Sequence, residues 1–374
     1  MSDVMPRRQW WPKNHHALSL LTSDPSSPSG AAVFDWDNTC IFNDVGDATF
    51  RWQLDQLAFR LPPDALHHML VDRLGSVTHL STGVALAHFA EDIRLAYAAL
   101  WPAIKQGEGR NLRGTAAHHD LRAKLGALYH QMVQTPAIGA AYAYSWLTQW
   151  YGGFTLAEVQ ELARNAALAG QTEAIGEDAW QAATPGRAGL QGWGFRTHIA
   201  PHPEMRDLFA ALTRADIPTW VVTASYEPLV QAVAALWHYP VSPTRVLGMR
   251  LQLSAQGTAL PYPAQHYPKT YAQGKVDAIE RFVGAPPLLV AGDAMTDHAM
   301  LTFHPSTCRL VINRNSRAEQ MQALYAAGLQ AVDDDAPLAG RVLLQGRDEN
   351  VGTFVASQHT TPLGARPPGS SGAL

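Results

Sequence analysis

AAVFDWDNTC, residues 31–40, decides how this chain is read. Ala31–Phe34 is apolar without interruption, and two carboxylates follow it, Asp35 and Asp37. A short apolar run without alternation suits a strand covered on both faces, as in a parallel sheet. Carboxylates spaced i, i+2 at the end of a strand can point into one crevice. In an open α/β sheet, the crevice at the carboxyl ends of the strands is where ligands bind. Two close anions there are costly unless a cation or a proton intervenes. A hard divalent cation meets that need, and Mg²⁺ prefers oxygen ligands and phosphate. The plainer reading is a turn or a helix cap. On this stretch alone the two readings weigh equally.

Three more apolar runs share this character: Thr219–Val222, Leu288–Ala291 and Arg309–Ile312. Helical patterns separate them. Leu229, Val230, Val233, Ala234 and Trp237 share one face after Ser225, with Pro228 in the first turn, where proline is tolerated. Val276, Ile279, Phe282 and Val283 make a second stripe. Strands alternating with helices predict an α/β fold with a doubly wound parallel sheet. Between the first two strands, residues 45–200 show helical spacing almost throughout. Thr155 and Glu158 form a capping-box signature there. A plain loop of that length is implausible, so a large inserted helical domain is expected. The expected division is an N-terminal arm over residues 1–30, an α/β core over 31–44 and 201–345, and the helical insert over 45–200. The Pro/Gly/Ser-rich tail over 360–374 is expected to be disordered.

Each later strand also ends in polar chemistry. Gly292-Asp293-Ala294-Met295-Thr296-Asp297 follows the third and repeats the first design, an apolar strand and then an acidic loop. Two such loops in one chain favour a shared metal site. Thr223-Ala224-Ser225 follows the second strand, where small residues opening a helix can offer backbone N–H groups to an anion. Ser225 reads equally well as a helix cap. Lys275 precedes the second amphipathic stripe, and a lone lysine is usually a surface residue.

These four features, in this order, resemble the motifs of the haloacid-dehalogenase-like hydrolase superfamily. The matching positions are Asp35-x-Asp37-x-Thr39, Thr223, Lys275 and Gly292-Asp293-x-x-x-Asp297. The resemblance covers residues 31–315 and is closest to the phosphoserine-phosphatase-like branch. Asn38 also matches phosphorylcholine-phosphatase-like members. The resemblance implies a Rossmann-like core with an inserted cap that opens and closes. It implies an Mg²⁺-dependent phosphatase acting on a small phosphomonoester through an aspartyl-phosphate. Asp35 is then the nucleophile and Asp37 the general acid and base. Asp35, Asp293 and the backbone carbonyl of Asp37 become the metal ligands, with Asp297 behind them. Thr223, Ala224, Lys275 and Asn38 become the phosphate-binding residues. Dehalogenases of the superfamily lack the second aspartate, so Asp37 favours phosphoryl chemistry. A phosphotransferase using the same intermediate and a non-catalytic binding protein of the same fold are the rivals.

Asp44 stands nine residues after Asp35, where an acid contacts the substrate amine in the amino-acid-phosphate branch. Tyr142, Trp146 and Trp150 recur at i, i+4 and i+8 and share a helix face. Core packing is the plainer reading of that face; a partial cage for a quaternary ammonium is the sharper one. With Asp44, the sharper reading points to phosphocholine or phosphoethanolamine, and the resemblance to the phosphoserine-phosphatase-like branch adds phosphoserine as a substrate type. Composition bounds the rest. The chain has 374 residues, 47% hydrophobic, with 28 Lys+Arg against 32 Asp+Glu. A net charge of −4 gives no electrostatic footprint for nucleic acid. Two cysteines, Cys40 and Cys308, exclude a disulfide scaffold and a cysteine-rich zinc site. No run is long and apolar enough to span a membrane, and no clean signal peptide opens the chain, so a cytoplasmic location is expected.

Overall fold

In the computed structural model, which describes residues 5–23, 30–71, 77–330, 333–334 and 336–365, a six-stranded sheet is built around the stretch quoted above. Its strands are β1 (Ala32–Phe34), β2 (Thr219–Tyr226), β3 (Val246–Met249), β4 (Leu289–Gly292), β5 (Cys308–Ile312) and β6 (Val342–Gln345). They lie in the order β6-β5-β4-β1-β2-β3. β1 pairs in parallel with both β4 and β2, and β5 pairs in parallel with β4 and β6. Every residue of β1 and β4 is buried, which is why these strands show no alternation. The four apolar runs read from the sequence are β1, β2, β4 and β5.

Helices cover both faces. Val33, Val222, Val290, Val311 and Leu344 pack with Val276, Ile279, Met321 and Leu324 from the Gln273–Ala278 helix, its π-helical continuation and the Glu319–Leu329 helix. On the opposite face Phe34 meets Phe209 of the Pro203–Arg214 helix at a ring separation of 4.5 Å. The N-terminal arm forms a helix over Pro12–Ser23 that belongs to this layer. Trp10, Leu18 and Leu21 are buried, and Asn14 Nδ2 donates to the Leu344 carbonyl at 2.9 Å. Leu20 stays exposed.

The chain divides into two units. The α/β unit comprises Met1–Asp44, His198–Gly248 and Pro268–Leu374; the helical unit comprises Val45–Thr197 and Met249–Tyr267. Two findings differ from the sequence reading of this division. Met249–Tyr267 falls inside the span expected for the core, yet it joins the helical unit. Its hairpin, Leu251–Leu253 with Ala259–Pro263, is tied there by reciprocal main-chain bonds of 2.7 Å between Ala259 and the Gly153-Phe154 pair. The insert is also not wholly helical, because Gly176–Gln181 and Gly192–Thr197 form an antiparallel hairpin. The Thr155–Glu158 capping box does start the Leu156–Thr172 helix.

The C-terminal end also differs from expectation. Residues 360–365 are ordered against the α/β unit: Thr360 and Thr361 are buried, and Glu349 N donates to the Thr361 carbonyl at 3.0 Å. The remainder of the expected tail, and most of the Ser/Pro-rich loop at 23–30, lie outside the described residues.

Candidate active site

Strand register gathers the motifs. Phe34 stands opposite Val221 on one side and Ala291 on the other. Asp35 is one residue beyond that level, while Thr223 and Asp293 are two residues beyond it on the flanking strands. Three adjacent strand ends therefore deliver these side chains to one place, at the carboxyl edge where α/β sheets bind ligands.

Lys275 comes from the helix starting at Gln273. It is fully buried, contrary to the usual surface lysine, and its Nζ donates to Asp35 Oδ1 and Asp297 Oδ1, each at 2.6 Å. The turn that feeds it is tight. A Cβ on Gly274 would stand 1.7 Å from the Lys269 carbonyl oxygen, so only glycine fits there. Gly292 is constrained in the same way, since a Cβ there would lie 2.7 Å from Cβ of Asp297.

Asp297 is saturated. Its Oδ2 accepts from the backbone N–H groups of Asp293 and Ala294 at 3.0 and 3.2 Å, and its Oδ1 takes Lys275. It ties the acidic loop together through these backbone bonds. Asp35 and Asp293 are not saturated. The Thr39 hydroxyl lies 3.3 Å from Asp35 Oδ2 and 3.1 Å from Asp293 Oδ1, and its single hydrogen cannot serve both. Arg314 Nη1 donates to the other Asp293 oxygen at 2.9 Å.

Burial drives the electrostatics. It pushes the Asp35 carboxyl well above its ordinary range; the Asp297 charge adds to this, and Lys275 only partly opposes it. Asp293 is raised by burial against the pull of Arg314. Burial disfavours the Lys275 ammonium, yet Asp297 and Asp35 outweigh that and hold it above lysine's usual value. Oxygens of Asp35, Asp293 and Asp297 lie within 4.8 Å of one another. Buried, oxygen-only and rich in negative charge, this group fits a hard divalent cation.

Some expected site residues hold different partners from those anticipated. Thr223 is buried at the end of the site strand, but its hydroxyl lies 3.4 Å from Asp37 Oδ2. Ser225 is not a cap. It remains in β2, and its Oγ donates to the same Asp37 oxygen at 2.7 Å. Ala224 lies between them and is half-buried. Asn38, expected on the phosphate, has its backbone and side-chain oxygens held by Arg347 at 3.2 Å each. Asp44 is half-buried, and its charge acts on Arg314. Trp146 and Trp150 are both completely buried within the core of the helical unit, so this pair presents no open aromatic face. Trp150 packs against Phe50, Phe59 and Trp146, and Trp146 Nε1 bonds the Met69 carbonyl. The sequence reading does not include Arg314 or Arg347 among the site residues, and it takes Ser225 for an anion-loop residue or a cap, not for a partner of Asp37. The signal that could have flagged Arg314 is its place just past the β5 strand end, the position Asp35 and Asp293 occupy on their strands. Arg347 carried no such signal.

The chain matches the family model for haloacid dehalogenase-like hydrolases over residues 177–302. No curated protein matches the sequence. A conserved protein of unknown function from Anaerococcus prevotii shares the fold, with a TM-score of 0.82 at 23% identity, over 97% of this chain and 99% of that one. A protein of unknown function from Bordetella pertussis aligns at 13% identity and a TM-score of 0.42, over 82% and 99% of the two chains. A phosphoserine phosphohydrolase-like protein from Francisella tularensis aligns at 11% identity and a TM-score of 0.36, over 79% and 92%. No helix among the described residues is long and apolar enough to cross a membrane. The family match spans the second to fourth motifs, and strand register brings Asp35, at the start of the first, to the same edge.

Proposed function

We propose that this protein is an Mg²⁺-dependent phosphatase that hydrolyses a small phosphomonoester through an aspartyl-phosphate on Asp35. The observation that carries this reading is the pair Asp35 and Asp293, buried around one shared Thr39 hydroxyl with Lys275 on the nucleophile. Asp35 attacks phosphorus, and the new P–O bond forms as the ester P–O bond breaks. Asp37, aimed by Ser225 and Thr223, gives its proton to the departing alkoxide and later takes one from the water that hydrolyses the intermediate. Lys275 offsets the charge brought together by carboxylate and phosphoryl group. Mg²⁺ held by Asp35, Asp293 and the Asp37 carbonyl would supply the remaining compensation. Asp44, whose charge acts on Arg314, is the residue proposed to read the leaving group's polar end, and phosphoserine, phosphocholine and phosphoethanolamine remain the substrate types to test.

Phosphate release from these three esters and from an aryl phosphate, with Mg²⁺ and with chelator, tests the reading. Release that requires Mg²⁺ and vanishes in Asp35→Asn is the expected result. Release that survives the substitution would overturn the assignment of the nucleophile.

A further inference from the structure

The segment beyond β6 enters the site from the far end of the sequence. Arg347 is completely buried, and three of its guanidinium nitrogens are committed. Nε donates to Glu349 Oε1 at 2.6 Å; Nη1 and Nη2 donate to the carbonyl and Oδ1 of Asn38, each at 3.2 Å. Asn38 sits between Asp37 and Thr39 in the left-handed region, with φ of 61°. Left-handed backbone disfavours L-residues, although asparagine tolerates it better than most. The loop's N–H groups are bonded within the loop: Asn38 N to the Asn43 carbonyl at 3.0 Å, and Cys40 N to the Trp36 carbonyl at 2.8 Å. Arg347 grips the oxygens instead.

The arginine is itself fixed. Its N–H donates to Thr360 Oγ1 at 3.0 Å, its carbonyl accepts from Thr361 N at 2.9 Å, and its guanidinium lies 5.0 Å from the Phe42 ring. An apolar side chain would fill this position at lower desolvation cost. The planar fork does what an apolar group cannot, because it holds one residue by two oxygens in a set orientation.

Resting on the functional reading above, we propose that Arg347 is a positioning residue of the active site: it locks the Asp37-Asn38 turn so that both catalytic aspartates keep their aim. It touches neither substrate nor phosphorus, and acts through Asn38.

The experiment compares wild type with Arg347→Ala and Arg347→Lys, using an aryl phosphate and Mg²⁺, and follows amide hydrogen exchange across residues 36–43. Misaimed groups lower kcat, by about 100-fold in Arg347→Ala, with KM changed by less than about threefold. Methylguanidine should restore part of that loss. Arg347→Lys should also lose turnover, since a point charge cannot reproduce the fork. Exchange should quicken in residues 36–43 and stay unchanged in β4 and β5. If the alanine variant does not fold, the lysine variant carries the test. Turnover within about twofold of wild type in the lysine variant would overturn the proposal, since a lost fork should cost more than that. So would quickened exchange spread evenly over the α/β unit. If wild type releases no phosphate from any ester, the functional reading fails separately. The exchange pattern then decides alone: selective loosening of 36–43 sustains the role of Arg347, and uniform loosening ends it.

Discussion

Each unit contains one buried lysine in contact with a buried aspartate, and the two pairs behave in opposite ways. In the helical unit, Lys124 Nζ lies 2.9 Å from Asp92 Oδ2, with both side chains almost inaccessible. Asp92 also accepts the backbone N–H groups of Arg187 and Ala188 at 2.9 Å each. Burial works against its charge, but those bonds and Lys124 outweigh burial and hold the carboxyl below its ordinary range. In the α/β unit, Lys275 is divided between Asp35 and Asp297, and Asp35 is left well above its ordinary range. Asp92 takes Lys124 and two backbone donors and pins the loop at residues 187–188. Asp35 takes a lysine shared with Asp297 and a hydroxyl shared with Asp293, and has other carboxylates around it. An incompletely compensated buried charge marks a place built for something more to arrive.

The same substitution at both aspartates should break the parallel. Asp35→Asn should cost at least about 1,000-fold in turnover, as loss of a nucleophile does. The thermal midpoint should hold or rise, because a costly charge is removed without change of shape. A clear drop in that midpoint would show that Asp35 is structural. Asp92→Asn places an amide N–H₂ against a donor and leaves Lys124 uncompensated, so it should destabilise the helical unit by about 3–5 kcal/mol. Denaturant melts check this, and a loss under about 1 kcal/mol would erase the contrast.

A third buried group gives a pH signature. His202 is completely buried, stacked on Phe354 at 4.3 Å, and neither ring nitrogen has a hydrogen-bond partner among the described residues. Burial, helped by the Arg347 charge, pushes its imidazole well below the ordinary value. The unfolded chain therefore binds this proton near pH ~6.5 while the folded chain does not. Stability from this group is whole above that pH and falls as the pH drops below it. His202→Leu should remove a slope of up to about 1.4 kcal/mol per pH unit in that acid window. Identical slopes in both proteins would show that the ring already charges in the fold. The smallest effect belongs to the aromatic face. Trp150→Phe should cost about 1–3 kcal/mol as a core change and leave the ranking of phosphoesters unaltered. A selective loss of phosphocholine turnover would revive the cage.

What was legible in the sequence was local. The four strands at 31–34, 219–222, 288–291 and 309–312 are contiguous apolar runs ending in polar residues, and a contiguous pattern survives without a structure. Lys275 became readable only through its order among the other motifs, because its partner Asp35 lies 240 residues away. Arg347 stands 309 residues from Asn38 and follows no motif, so nothing local announced it. The Leu251–Leu253 hairpin joins the helical unit through main-chain bonds to Gly153 and Phe154, and main-chain pairing leaves no side-chain signature. Trp146 and Trp150, read as core packing or as a partial cage, stayed open between the two for a related reason. A helical stripe shows which residues share a face, and only the tertiary structure shows that this face is enclosed.

The grip of Arg347 on Asn38 also sets an order of events at the ribosome. The chain emerges from its amino end, and residues 45–197 can begin to fold once they are out. The turn at Asp37-Asn38 is made early but completed late. Its brace is synthesised 309 residues later, after every motif, and β1 waits even before that for β2 and β4. A nascent chain stalled before residue 347 would carry every motif and still lack the brace of the Asp37-Asn38 turn. The turn would then reach its final geometry only after residue 347 has emerged.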